Sequence, residues 1–148
     1  MILSETSPVI HAAPDQLFAF FMAMETNYTA WHLDHVVFRW LDKPAMKRGV
    51  RFYFEERIGG RLLRKKAAFT RVEPGSAIEF APTSRLFRLL LPRILFRIEP
   101  SERGFTVTQD IHLRIGPLAA WLNRRELEAV RRHMHEEGEN LKQLLERR

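Results

Sequence analysis

The feature that most constrains this chain is a helical pattern near its end, running from about Pro117 to Glu146. Leu127, Val130, Met134, Leu141, Leu144 and Leu145 recur on one face at ~100° per residue, and charged residues fill the others. A helix with such a stripe must lay it on another apolar layer. Glu137 interrupts the stripe at its middle, between Met134 and Leu141, and His133 flanks it one turn earlier. A carboxylate there is costly unless something pairs with it. His and Glu four residues apart on one helix face can converge on a single point. A metal ion at that point would satisfy both, since zinc takes imidazole nitrogen and carboxylate oxygen. A histidine alone, or an arginine from the facing wall, would also hold the carboxylate, and the helix by itself leaves these readings open. His135 and Glu136 point away from the stripe, toward solvent.

The 148 residues predict one domain, 1–148, long enough for a core or for a core with a cavity. With no cysteine, disulfides are excluded and any metal must use His, Asp or Glu. The apolar run Leu17 to Met24 follows Pro14 and Asp15 without a basic segment, so no signal peptide is expected, and no stretch has the length of a membrane span. The expected location is cytoplasmic. The net charge of +6 gathers at Arg61, Arg64, Lys65 and Lys66, at Arg124, Arg125, Arg131 and Arg132, and at Arg147 and Arg148. The helix arginines lie off the apolar stripe and no aromatic platform is interleaved with them, so a solvated face is expected and no nucleic-acid partner.

Upstream, the pattern is mostly β. Thr6 to Ile10 reads as an edge strand, with Pro8 suited to an edge. Ala13-Pro14-Asp15 opens a short helix bearing Leu17, Phe18, Phe20 and Phe21, and a second helical turn covers Ala23 to Tyr28. Trp31-His32-Leu33-Asp34-His35 leads into a strand from Val36 to Leu41. Val50 to Ile58 alternates strictly, which places Glu56 on the apolar face with Phe52 and Phe54, the second misplaced carboxylate. Gly59-Gly60 signals a two-residue hairpin turn. Strands follow at Arg61 to Val72, Ala77 to Phe80, Ile94 to Ile98 and Phe105 to Ile115. Arg85 to Arg93 is a short amphipathic stretch, expected to pack on the core as an ordinary edge element rather than to serve as a lid over a pocket or a membrane-surface patch. Strands in a meander with segregated helices make an α+β fold, a curved antiparallel sheet around a long C-terminal helix. The gap between such layers holds small apolar ligands.

This order resembles the helix-grip fold of the START/Bet v1-like (SRPBCC) superfamily, which implies a seven-stranded sheet with an internal cavity. Ile10-His11-Ala12-Ala13-Pro14-Asp15 running into Phe18, Trp31 after the short helices, and Val72-Glu73-Pro74-Gly75 before a strand carry the likeness. A narrower resemblance is to the zinc-dependent diacetylphloroglucinol hydrolases. It rests on Trp31 to His35, on Glu56-Arg57-Ile58-Gly59-Gly60, and on His133 through Glu137 with Leu141 after it. The chain is shorter than those hydrolases, and their substrate-contacting residues find no match in it. That family holds zinc through two His and two Glu, which implies His35, Glu56, His133 and Glu137 as ligands here, with Asp34 a natural partner for a nearby imidazole. His32 competes with His35 for the first position and is otherwise the implied catalytic acid. Manganese or iron suits the same donors. The implied reaction is hydrolysis of a carbon–carbon bond in a small hydrophobic, aromatic or polyketide-like ketone, with water acidified on the metal. Three other classes fit the sequence: a non-catalytic carrier of hydrophobic molecules, a metal-free polyketide cyclase or dehydratase, and a membrane-surface protein using Arg85 to Arg97. The sequence sets no oligomeric state, and a homodimer is compatible with it.

Overall fold

A computed structural model describes residues 1–147; Arg148, counted above in a basic cluster, lies outside the described residues. The elements run β1 (Ile2–Thr6), α1 (Pro14–Met22), α2 (Met24–Trp31), β2 (His35–Trp40), β3 (Arg51–Ile58), β4 (Arg61–Glu73) and β5 (Ala77–Pro82). They continue with α3 (Arg85–Leu90), β6 (Arg93–Ser101), β7 (Gly104–His112), α4 (Pro117–Leu122) and α5 (Arg124–Glu146). The seven strands form one sheet in the order β1-β7-β6-β5-β4-β3-β2, every neighbour antiparallel. Hairpins build it from β2 through β7, and β1 then joins β7, the one pairing between strands distant in sequence. This is the α+β helix-grip architecture, with the inner face of the sheet turned toward α5.

Alternation explains the faces. Phe52, Phe54 and Glu56 of β3 are buried while Arg51 and Arg57 are exposed. Gly59 and Gly60 link β3 to β4 with φ of 62° and 79°, the two positive values a type I′ hairpin turn requires. On α5 the buried residues are His133, Met134, Glu137, Gly138, Leu141 and Leu145, so the stripe faces the core as its spacing predicts. Gly138 sits where the helix crosses the chain just after β1: a Cβ there would lie 3.2 Å from the Cα and Cβ of Ser7. The glycine thus sets how close α5, with Glu137 beside it, approaches the sheet. Among the described residues no helix is long and apolar enough to cross a membrane.

The first strand lies earlier than predicted, at Ile2–Thr6, and Ile10 makes only an isolated bridge to Phe105. Leu3 is the single buried residue of β1, so its apolar alternation is faint and its pairing with β7 defines it. The C-terminal helix is not continuous. Asn123 ends α4, its side-chain amide donating to the Ala119 carbonyl at 2.8 Å, and α5 starts afresh at Arg124. α3 has no buried residue, and neither has α4, whereas Leu91 just after α3 is half-buried and packs on the core.

Candidate metal centre

Three elements aim polar side chains at one point on the inner wall. α5 contributes His133 and Glu137 at the spacing that stacks them on one face. β3 contributes Glu56 from its inward register. β2 contributes His35, which pairs directly with Glu56 across the ladder, and a bulge follows between His35 and Val37. Two hydrogen bonds tie the segment before His35 to α5. The Trp31 indole donates to the Glu137 carbonyl at 3.0 Å, and the Asn140 amide donates to the Trp31 carbonyl at 2.9 Å. All four side chains are buried, and one ligand atom from each lies within 4.8 Å of the others.

The separations are short. His35 Nε2 lies 2.8 Å from Glu137 Oε2, 3.1 Å from His133 Nε2 and 3.9 Å from Glu56 Oε2. His133 Nε2 lies 3.3 Å from Glu56 Oε2 and 3.4 Å from Glu137 Oε2. These bracket the ~3.3 Å edge of a tetrahedron whose corners stand ~2.0–2.1 Å from a central ion. His35 Nδ1 donates to the Tyr28 carbonyl at 2.8 Å. A carbonyl only accepts, so Nδ1 carries the proton and a neutral His35 turns the Nε2 lone pair inward. Two imidazole nitrogens and two carboxylate oxygens facing one point repel one another unless a proton or a metal ion sits among them. The residues therefore fit a divalent cation in donor type, spacing and tautomer.

Without a cation, a proton takes its place. Burial works against a charged His133, yet the hydrogen bonds it donates to Glu137 and Glu56, and their charges, outweigh it and push its pKa up to about 10. Burial likewise opposes ionisation of Glu137, but His133 and His35 hold it down at about 2. Glu56 follows the same pattern: burial raises it, while the His133 hydrogen bond and then the Lys65 charge keep it below the ordinary carboxylate value. His133 Nδ1 is buried without a hydrogen-bond partner among the described residues, unlike the usual ligating histidine, whose far nitrogen is held.

The structure also places groups that the sequence reading passed over. The Tyr28 ring stacks on His35 at 3.9 Å and 5°, and its hydroxyl donates to Glu56 Oε2 at 3.4 Å. Burial, then the charges of Glu56 and Glu137, push its phenol far above the ordinary value. The signal was present: Met24, Tyr28 and Trp31 share the buried face of α2, and a buried tyrosine hydroxyl needs a partner. Lys65, counted in a surface cluster, faces inward from β4 and sets its ammonium 3.6 Å from Glu56 Oε1. Leu63, Lys65, Ala67 and Phe69 share that face by simple alternation.

His32 stands behind the cluster. Its Nδ1 accepts the Asp34 backbone N–H at 2.9 Å and its Nε2 pairs with Glu136 at 3.2 Å, although its ring lies 4.2 Å from that of His133. It borders an outer groove with Leu33, His135 and Glu136, whereas His133, Glu56 and Glu137 line the inner cavity. Asp34 is exposed and serves His32; His35 is held by the Tyr28 carbonyl instead.

The cavity between sheet and α5 holds about 210 Å³ and is lined mainly by Phe, Trp, Leu and Ile side chains. Its polar wall is Tyr28, Glu56, Lys65, Gln109, His133 and Glu137. An apolar void of ~150 Å³ takes benzene, so this one suits a single substituted ring.

No protein-family model matches the chain, and no curated protein matches it in sequence. Solved structures match it in shape. The KanY protein superposes with a TM-score of 0.75 at 16% identity, covering 99% of this chain and 97% of that one. TTHA0849 from Thermus thermophilus gives 0.73 at 11% identity, covering 97% and 95%. The Zhui aromatase/cyclase from Streptomyces sp. R1128 gives 0.71 at 13% identity, covering 100% and 94%. What this chain shares with them is the Bet v1-like helix-grip fold.

Proposed function

We propose that the chain is a metal-dependent hydrolase. It binds zinc, with manganese or iron as lesser fits, through His35, Glu56, His133 and Glu137, and acts on a small aromatic or polyketide-like ketone in the cavity. The observation that carries this reading is the set of four buried donors, whose ligand atoms all lie within 4.8 Å of one another, aimed at one point on the cavity wall. The resemblance to diacetylphloroglucinol hydrolases supports the reaction class.

Bound there, the ion supplies Lewis acidity, acidifying water and polarising a carbonyl. The two carboxylates balance its charge, and Lys65 remains as a positive charge near Glu56, placed to orient an enolate or phenolate. The aromatic wall holds the ring. Cleavage of a carbon–carbon bond leaves a carbanion that needs a proton, and Tyr28 holds a hydroxyl proton at the cavity wall. His32, the nearest candidate acid in the sequence, does not border the cavity and is given no part in it. Tyr28→Phe is expected to keep the metal and lower kcat by roughly 10²–10⁴-fold.

The test is turnover of acylated phenols, followed by release of the deacylated phenol and a carboxylic acid. Activity abolished by a strong chelator and restored by zinc supports the hydrolase. Activity that survives chelation supports a metal-free cyclase instead, the reading favoured by the aromatase/cyclase named among the structural matches. Binding without turnover supports a carrier.

A further inference from the structure

Thirteen large apolar side chains are exposed among the described residues, and seven of them belong to the two six-residue helices α3 and α4. Leu86, Phe87 and Leu89 project from the first, and Leu118, Trp121 and Leu122 from the second, each at least 59% exposed. Folding does not need them there, and a cluster of this kind marks an interaction face. The Arg114 amide donates to the Leu90 carbonyl at 2.8 Å, which ties the end of α3 to the segment entering α4. Leu91 and Leu113, beside the two helices, are half-buried and line the cavity. The apolar face thus stands at the cavity rim.

Its surroundings are predominantly cationic. No Asp or Glu occurs from Phe80 to Ile98 or from Ile111 to Arg125, while Arg85, Arg88, Arg93, Arg114, Arg124 and Arg125 are exposed. Of these, among the described residues, only Arg93 reaches a carboxylate, Glu79 at 3.9 Å. Arg124 lies over the Trp121 ring, 4.6 Å from its centroid. Phe, Trp and Leu ringed by arginine suit the boundary between headgroup and acyl chain. The arginines suit anionic headgroups.

We propose that α3 and α4 dock on the surface of an anionic lipid bilayer, with the cavity mouth against the membrane. The side chains stand out from separate short helices, bordered by cations, so a soft anionic surface fits them better than a shaped protein groove. Of Arg85 to Arg93, expected to pack against the core, Leu91 does so, while the exposed residues of α3 take this role.

The test is co-sedimentation of the full chain with vesicles of phosphatidylglycerol and phosphatidylcholine, against phosphatidylcholine alone. The expected result is binding to the anionic vesicles at least tenfold tighter than to neutral ones and weakened by salt. The double variant Phe87→Ser, Trp121→Ser and the charge reversal Arg85→Glu, Arg88→Glu should each weaken it at least tenfold. These positions are exposed, so an unchanged thermal transition verifies the fold of each variant. A chain that stays in the supernatant overturns the proposal, as do variants that sediment like the wild type. A dimer seen by sedimentation velocity and lost in the Ser variant, without vesicle binding, assigns the face to a second copy and also overturns it.

Discussion

Asp110 on β7 and Glu137 on α5 are buried to the same degree, each 7% exposed, yet their surroundings differ in kind. Asp110 lies on the outer face of the sheet and is closed off by fixed donors. Arg97 Nε reaches one oxygen at 2.7 Å and Ser4 Oγ the other at 2.7 Å, joining three strands. Burial raises its pKa, but these two hydrogen bonds outweigh it and hold the carboxyl below the usual range. Glu137 meets two imidazoles, whose charge depends on a proton that can leave. An arginine partner is permanent and completes a structural tie. A histidine partner can exchange its proton for a metal ion. The comparison teaches that the partner's chemistry, more than burial, separates a carboxylate that holds the fold from one that can hold a ligand.

The largest difference should appear on neutralising each acid. Glu137→Gln is expected to weaken zinc binding by more than about a hundredfold, beyond the 10–100-fold typical of residues that only support a ligand. Its circular dichroism should stay near wild type. A glutamine variant that binds zinc as tightly as wild type would remove Glu137 from the site. Asp110→Asn should do the reverse. Denaturant unfolding should show a loss of about 1.5–3 kcal/mol, the range for hydrogen bonds to charged groups, with metal affinity unchanged. A drop in affinity there would erase the contrast.

The two acids also differ in the pH dependence of the chelated protein. His133 rises from 6.5 to about 10 on folding, so its contribution is full below pH 6.5 and lost as pH climbs through 10. Glu137 falls from 4.5 to about 2, so its contribution is full above pH 4.5 and lost as pH drops through 2. Both are complete between pH 4.5 and 6.5, and thermal stability should decline on each side of that window. Asp110 is depressed as well, so the outer tie weakens only toward acid. The alkaline decline therefore reports the inner cluster, and it should vanish when zinc replaces the proton. Its persistence in the zinc-loaded protein would place the metal elsewhere.

Periodicity alone made part of this legible. Glu56 and Glu137 stand out because a charge on an apolar face is a local contradiction in the pattern, visible in a few residues of sequence. His35 entered only through family resemblance, since neither its pairing with Glu56 nor its bond to the Tyr28 carbonyl can be read from neighbouring residues. Tyr28 and Lys65 obeyed the pattern of their elements but were not traced to a face. Asp110 gave no signal: it alternates outward like any polar strand residue, and its burial comes from side chains on β1 and β6. The β3–β4 hairpin followed from the turn chemistry of Gly59-Gly60, whereas β1 depended on a pairing a hundred residues away. The break at Asn123 was masked because the residues of α4 also fit a helix.

The central claim is that the four inward side chains hold one divalent cation. Elemental mass spectrometry of the purified chain and of His133→Ala tests it most directly. Wild-type protein should carry about one zinc, manganese or iron ion per chain, and the variant should lose most of it. Wild-type protein that stays metal-free after incubation with zinc, or a variant that retains a full complement, would contradict it.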